Sequence, residues 1–289
     1  MIEILTDALL DAFLDTIKLL PFLFVTYLLM EYLERKTGDK SAAILSSIGK
    51  LAPVFGGLAG IVPQCGFSAA ASSLYAGGLI SVGTLLAVFL STSDEMLPIF
   101  ISEQVAVPTI AAILITKAVL GIVSGLGVDF LLRFTKYKHK TEKHIRDAYE
   151  DENESEEHGI FYEALQHSIR ITIFIFLITL VLTILVEGLG KDTISGFLSG
   201  QPVFGVFLSA LIGLIPNCAA SVIITQLYLD GLLGSGQMIA GLLVGAGVGL
   251  LVLFRSNRRH MKENFLVTAM LYIIAVFWGL LIEALGIRF

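Results

Sequence analysis

The chain has 289 residues, of which 55% are hydrophobic and only 15% charged, with a formal net charge of −6 and a mean hydropathy of +0.84. Soluble domains carry about 25% charged residues, so composition excludes an ordinary soluble domain. No basic stripe offers a footing for nucleic acid. Several apolar runs approach the roughly 20 residues needed to cross a bilayer, so the lipid bilayer is the expected first partner. The two cysteines imply neither a disulfide framework nor a redox compartment. The N-terminus has no basic n-region or small-residue cleavage site. Glu3, Asp7, Asp11 and Asp15 instead form an acidic, amphipathic lead-in, and the first membrane helix is expected to act as an uncleaved signal.

The first spanning run covers about Thr16 to Leu33 and is followed by Arg35, Lys36 and Lys40. A second, about Ile44 to Val62, ends at Pro63-Gln64-Cys65-Gly66. A small-residue helix over about Phe67 to Tyr75 and a Gly77-Gly78 break come next. Another helix, about Ser81 to Leu90, leads into Ser91-Thr92-Ser93-Asp94-Glu95. A long span over about Pro108 to Leu132 contains Lys117. Residues 133–167 are polar, first basic (Lys136, Lys138, Lys140, Lys143, Arg146) and then acidic from Glu150 to Glu157. They read as a solvated loop; His139, His144 and His158 have no metal-ligand spacing.

The second half repeats the order. A span over about Ile169 to Val186 precedes an apolar run, about Pro202 to Ile215, that ends at Pro216-Asn217-Cys218-Ala219. A helix over about Ala220 to Leu229 follows, then a glycine-rich helix over about Gly236 to Phe254 and a last span over about Phe265 to Leu285. Residues 63–100 align without a gap on residues 216–253. Pro63, Cys65, Ser68, Tyr75, Gly78 and Gly83 meet Pro216, Cys218, Ser221, Tyr228, Gly231 and Gly236. Proline, cysteine, serine, tyrosine and glycine in fixed register mark a duplicated transporter half. The division is therefore a first membrane repeat over 1–132, a charged loop over 133–167 and a second repeat over 168–289.

The expected fold is an all-α integral membrane protein of about ten segments, in two inverted five-segment repeats with broken or re-entrant helices at Pro63 and Pro216. Loop charge sets the orientation. With the N-terminus outside, the loops carrying Arg35–Lys40, the central lysines and Arg255–Lys262 are all cytoplasmic, as the positive-inside rule requires. Both termini then lie outside a multi-pass plasma (inner) membrane protein.

Proline ends the helix before it, and the freed backbone groups must be buried in protein or line a wet cavity. Two inverted copies would bring Gln64, Cys65, Asn217 and Cys218 together near the membrane midplane, with Ser68 and Ser221 beside them. Carboxamides donate and accept, and thiolates are soft ligands. Simple helix breaks with small packing cysteines are the bland alternative. The halves differ tellingly in one stretch: Ser91-Thr92-Ser93-Asp94-Glu95 aligns with Val244-Gly245-Ala246-Gly247-Val248. Ionisable residues at membrane depth are functional candidates. Ser91, Ser93, Asp94, Glu95 and Lys117 are thus the expected ion-coupling set, although Asp94 and Glu95 could equally sit solvated at the outer interface. Lys18, Glu31, Glu187 and Glu283 lie near span ends and read as snorkelling residues.

The Pro-Gln-Cys-Gly-Phe-Ser stretch from Pro63, the cluster from Ser91 to Glu95 and Pro-Asn-Cys-Ala-Ala-Ser from Pro216 resemble the ten-transmembrane heavy-metal and arsenic efflux permease family, whose members are also labelled manganese transporters. The resemblance implies export of a metal or metalloid. Cys65 and Cys218 favour a thiophilic cargo such as an arsenical. Asp94 and Glu95, with Gln64 and Asn217, suit a harder cation such as Mn²⁺, and helix N-termini at the breaks suit a small anion or a polar organic molecule. The metal-ligand set is then Cys65, Cys218, Asp94 and Glu95. No Gly-rich phosphate loop is present, so an ion gradient is the expected drive, with a proton or other ion as coupling partner. No cofactor is expected. A second copy of the chain is compatible with the reading. Hydrolytic motifs are absent, so the chain is read as no enzyme; a passive channel is the other class.

Overall fold

In the computed structural model, residues 51–62, 65–93, 96–133, 202–216 and 218–289 are described continuously, together with single helical positions between 9 and 28 and between 161 and 180. The first span of each half lies largely outside the described residues, as does the charged loop. The described first half holds α1 (Ala52–Gly60), α2 (Cys65–Ala76), α3 (Val82–Ser91), α4 (Met96–Ser102) and α5 (Val107–Arg133). The second holds α6 (Pro202–Gly213), α7 (Cys218–Leu229), α8 (Ser235–Val244), α9 (Val248–Ser256), a 3-10 turn (Arg258–His260) and α10 (Met261–Leu285). No strand occurs among the described residues.

The sequence register becomes structural register. Adding 153 to the bounds of α2 and α3 gives the bounds of α7 and α8 (65 + 153 = 218; 91 + 153 = 244). The α2–α3 turn closes with Leu79 N–H on the Leu74 carbonyl, and the α7–α8 turn with Leu232 N–H on the Leu227 carbonyl, at 2.9 Å or less in both. This six-residue closure needs a left-handed residue, and Gly78 (φ 71°) and Gly231 (φ 73°) supply it without a Cβ penalty. One expectation is corrected. The glycine-rich run is not one helix; it breaks after Val244 and restarts at Val248. Gly247 takes φ 52°, ψ −137°, backbone that an L side chain rarely adopts.

Packing repeats as well. In each half the first helix packs on the third and fifth (α1 on α3 and α5; α6 on α8 and α10), and the third packs on the fifth. Across the halves the contacts are exchanged. Helix α2 packs on α9 while α7 packs on α4; α3 packs on α10 while α8 packs on α5; α3 also meets α8. Contacts in which i meets j and j meets i are those of a two-fold relation. Trp278 on α10 donates its indole N–H to Ser124 Oγ on α5 at 2.9 Å. These two residues occupy matched positions once one extra residue in the second half is allowed.

Every residue of α3 and of α8 is buried. A helix apolar and buried all round is a core element. Phe89, Leu85, Leu86 and Ile224 are among the largest fully buried side chains. Helix α5 instead exposes Ile115, Val119, Val123 and Phe130, and α10 exposes Phe265, Ile273 and Phe277. Residues Val107–Leu132 and Arg258–Leu285 are long and apolar enough to cross a membrane, and so is Ser235–Ser256, which α8 and α9 share. The matching helix Val82–Ser91 is apolar but shorter.

The buried pair is fastened to the outer pair by acids. Asp129 accepts from Ser81 Oγ at 2.6 Å and from Gly83 N–H at 2.9 Å, tying the start of α3 to α5. Glu283 accepts from Gly236 N–H at 3.2 Å, tying the start of α8 to α10. Glu283 therefore has a structural partner, where the sequence suggested snorkelling alone.

Candidate functional site

Among the described residues, each half contains two interruptions. The Pro-x-Cys breaks separate α1 from α2 and α6 from α7. The mid-span breaks separate α3 from α4 and α8 from α9.

At the Pro-x-Cys breaks, α1 stops at Gly60 and α2 starts at Cys65; α6 stops at Gly213 and α7 starts at Cys218. Each of the two cysteines is thus the first residue of a 12-residue helix. At 1.5 Å per residue such a helix covers about 18 Å, little more than half the hydrocarbon thickness. Its first turn carries the positive end of the helix dipole. Gln64 and Asn217 lie outside the described residues, and so do the side chains of Cys65 and Cys218. Ser68 and Ser221 follow their cysteines by three residues and share a helix face with them. Ser68 is fully buried, whereas Ser221 is half-buried.

Sequence reasoning missed the next member of each stripe. Ser72 and Thr225, seven residues after the cysteines, are both fully buried. Ser72 Oγ reaches the Ser68 carbonyl at 2.9 Å and the Gly249 carbonyl of α9 at 2.7 Å. Thr225 Oγ1 turns back to the Ser221 carbonyl at 2.7 Å. The i, i+3, i+7 spacing in both aligned copies was the available signal.

The mid-span breaks differ in content. Ser91, Thr92 and Ser93 are almost fully buried. Ser91 Oγ donates to the Ala87 carbonyl at 2.7 Å and Thr92 Oγ1 to the Val88 carbonyl at 2.7 Å. Ser93 Oγ donates to the Ser91 carbonyl at 3.1 Å. These hydroxyls bond carbonyls of their own segment, and the Ser91 hydroxyl packs against Gly60 of α1. Lys117, 1% exposed on α5, donates through Nζ to the Thr92 carbonyl. A cation at a helix C-terminus complements the dipole. Taking a charge out of water still costs several kcal/mol, so an ammonium held here needs partners and a reason. Asp94 and Glu95, next in the chain, lie outside the described residues.

In the other half, Ala246 N–H closes on the Val244 carbonyl at 2.6 Å and no side chain at Gly245–Gly247 can bond. The position matching Lys117 is Leu271, fully buried. Both the polar break and its lysine therefore belong to one half.

Of the predicted residues, the structure describes contacts of Ser68, Ser91, Ser93, Lys117 and Ser221; Ser68 abuts α9 and Lys117 the α3–α4 break. Among the described residues no three His, Cys, Asp or Glu side chains converge. The four predicted metal ligands all fall outside that description.

The family model ArsP_2, described as "Putative, 10TM heavy-metal exporter", matches residues 1–193. The match includes the first Pro-x-Cys break and the Ser91–Glu95 cluster and stops before the second break. No curated protein and no solved structure matches the chain.

Proposed function

The chain belongs to the 10TM heavy-metal exporter family, and we propose that it is a secondary-active exporter of a thiophilic metal or metalloid, of the arsenical type. In this reading it crosses the plasma membrane ten times as two inverted repeats, with both termini outside and residues 133–167 in the cytoplasm. The observation that carries the site is the placement of both cysteines as first residues of matched, half-length helices after breaks. Non-helical backbone at membrane depth is tolerated where it lines a cavity. Gln64, Cys65, Ser68 and their counterparts Asn217, Cys218 and Ser221 would supply soft and carboxamide ligands to the cargo. Ser91, Ser93, Asp94, Glu95 and Lys117 would couple its passage to a proton or another ion.

The test is uptake of arsenite and methylarsenite into inside-out vesicles by the C65S/C218S double variant. Transport is expected to fall to the level of empty vesicles; full transport with both thiols gone would sink the soft-ligand reading. A passive channel would equilibrate the cargo but not move it uphill under an imposed proton gradient.

One observation favours a second reading. Ser91, Thr92 and Ser93 place three buried hydroxyl oxygens at the end of α3, next in sequence to Asp94 and Glu95. Oxygen-rich surroundings suit Mn²⁺. Mn²⁺ flux that survives the double cysteine change would select this alternative.

A further inference from the structure

We infer that the turn between α9 and α10 is a binding surface for an anionic phospholipid, with the headgroup phosphate held by Arg258, Arg259 and Lys262 and the acyl chains lying along Phe265 and Leu266. The inference rests on the membrane reading above and on the cytoplasmic side it gives this turn. It goes past that reading by assigning a lipid class and the residues that take it.

Arg255, Arg258, Arg259 and Lys262 place four cations within eight residues, beside one acid, Glu263. Glu263 is buried, whereas Arg258, Arg259 and Lys262 are exposed. The apolar side chains next to them are exposed too: Met261 at 42%, Phe265 at 62% and Leu266 at 44%. Lys262, Phe265 and Leu266 follow i, i+3, i+4 spacing, so they share one outward side of α10. Phe265 is held edge-to-face on Phe254 of α9, with ring centroids 5.2 Å apart. Cations directly beside exposed aromatic and aliphatic side chains match an amphiphile with a negative head. Guanidinium groups pair with phosphate oxygens two at a time, and an ammonium adds a point charge. A soluble anion would gain nothing from the apolar flank. The cytoplasmic leaflet carries the anionic lipid that such juxtamembrane cations attract.

Two observations separate this surface from loop charge that only orients a chain. First, the turn is pinned. Asn257 Nδ2 donates to Asn264 Oδ1 at 2.7 Å, and Asn264 Nδ2 donates back to the Asn257 carbonyl at 3.0 Å. Both asparagines are buried, and His260 Nδ1 lies 3.2 Å from Asn257 Oδ1. The backbone that carries the cations is therefore ordered before a headgroup arrives, which lowers the entropy cost of binding. Second, the molecule holds its own control. The matching turn of the first half, between α4 and α5, has no Lys or Arg over residues 102–109 and carries a single charge, Glu103. Ile110 stands where Asn264 would be. The scaffold thus makes this turn without the cations and without the asparagine pair. In the inverted reading the two turns face opposite leaflets, and only the cytoplasmic one is basic.

The full chain, purified in detergent, is titrated with phosphatidylglycerol or phosphatidylcholine, and bound lipid is counted by native mass spectrometry. Phosphatidylglycerol should bind at least about tenfold tighter than phosphatidylcholine. Equal affinities overturn the inference, a result read on the unaltered protein and so independent of how any variant folds. R258Q/R259Q/K262Q should lose the preference. R288Q, which removes an exposed cation outside the cluster, should keep its affinity for phosphatidylglycerol within about twofold. A preference that survives the triple change, or an equal loss in R288Q, overturns the inference. The acidic run from Glu150 to Glu157 is the competing occupant. Neutralising its acids should change phosphatidylglycerol affinity by less than about twofold; a rise of about tenfold would give the surface to that segment and overturn the lipid assignment. No arm uses cargo, so failure here leaves the exporter reading standing, and failure of C65S/C218S to lose transport leaves the lipid surface standing.

Discussion

The α3–α4 break and the α8–α9 break follow helices of matched bounds and sit in matched packing, yet they hold opposite chemistry. One is hydroxylic and capped by an ammonium; the other is glycine, alanine and a buried leucine. The scaffold thus tolerates an interruption at this depth without any polar side chain, because Gly247 turns the chain and Ala246 closes on Val244. The polar residues at the first break are then not required to make a break. In the exporter reading proposed above, they and the buried Lys117 are the candidates for acting on a passing solute.

The sharpest way to break the comparison is to make the first break resemble the second. Lys117→Met is expected to lower uptake in vesicles by about 100-fold, the scale of one or two charge-assisted hydrogen bonds lost. Leu271→Met, at the matched position, should leave uptake near normal and cost under about 1.5 kcal/mol in stability, as volume-conserving core swaps do. Equal losses in both would mean that the lysine is only packing.

A smaller contrast lies in the acids that fasten the buried helices. Asp129 accepts two hydrogen bonds and Glu283 is seen to accept one from the matched backbone group. Asp129→Asn should therefore destabilise by about 2 kcal/mol and Glu283→Gln by about 1 kcal/mol, read from thermal unfolding in detergent. The smallest effect sharpens the likeness of the halves. Gly78→Ala and Gly231→Ala should each cost about 1 kcal/mol and agree with one another, because both sit at φ near +70° in the same turn.

Much of this was legible in the chain. The gapless register of 63–100 on 216–253 carried over into helix bounds, because proline and glycine act locally on the backbone. The break at Gly245–Gly247 was not legible. Glycines in a membrane run also serve as packing faces, and nothing local distinguishes Gly241, which stays helical, from Gly247, which turns. Lys117 stood out as deep, but its seat on the Thr92 carbonyl depends on how α5 crosses α3. The exchange of partners between halves, α2 with α9 and α7 with α4, could not be read from a repeat at all. A duplication fixes what each half contains and leaves open which surfaces meet.

Trp278 is the chain's one tryptophan, and its indole is bonded to Ser124 of the other half. The molecule therefore carries an unlabelled optical reporter at its most informative point. Any rocking of one half against the other would stretch that bond and alter the polarity around the ring. Emission wavelength and quenching during turnover would then report the motion directly, with Ser124→Ala as the reference in which the hydrogen-bonded component is missing from the start.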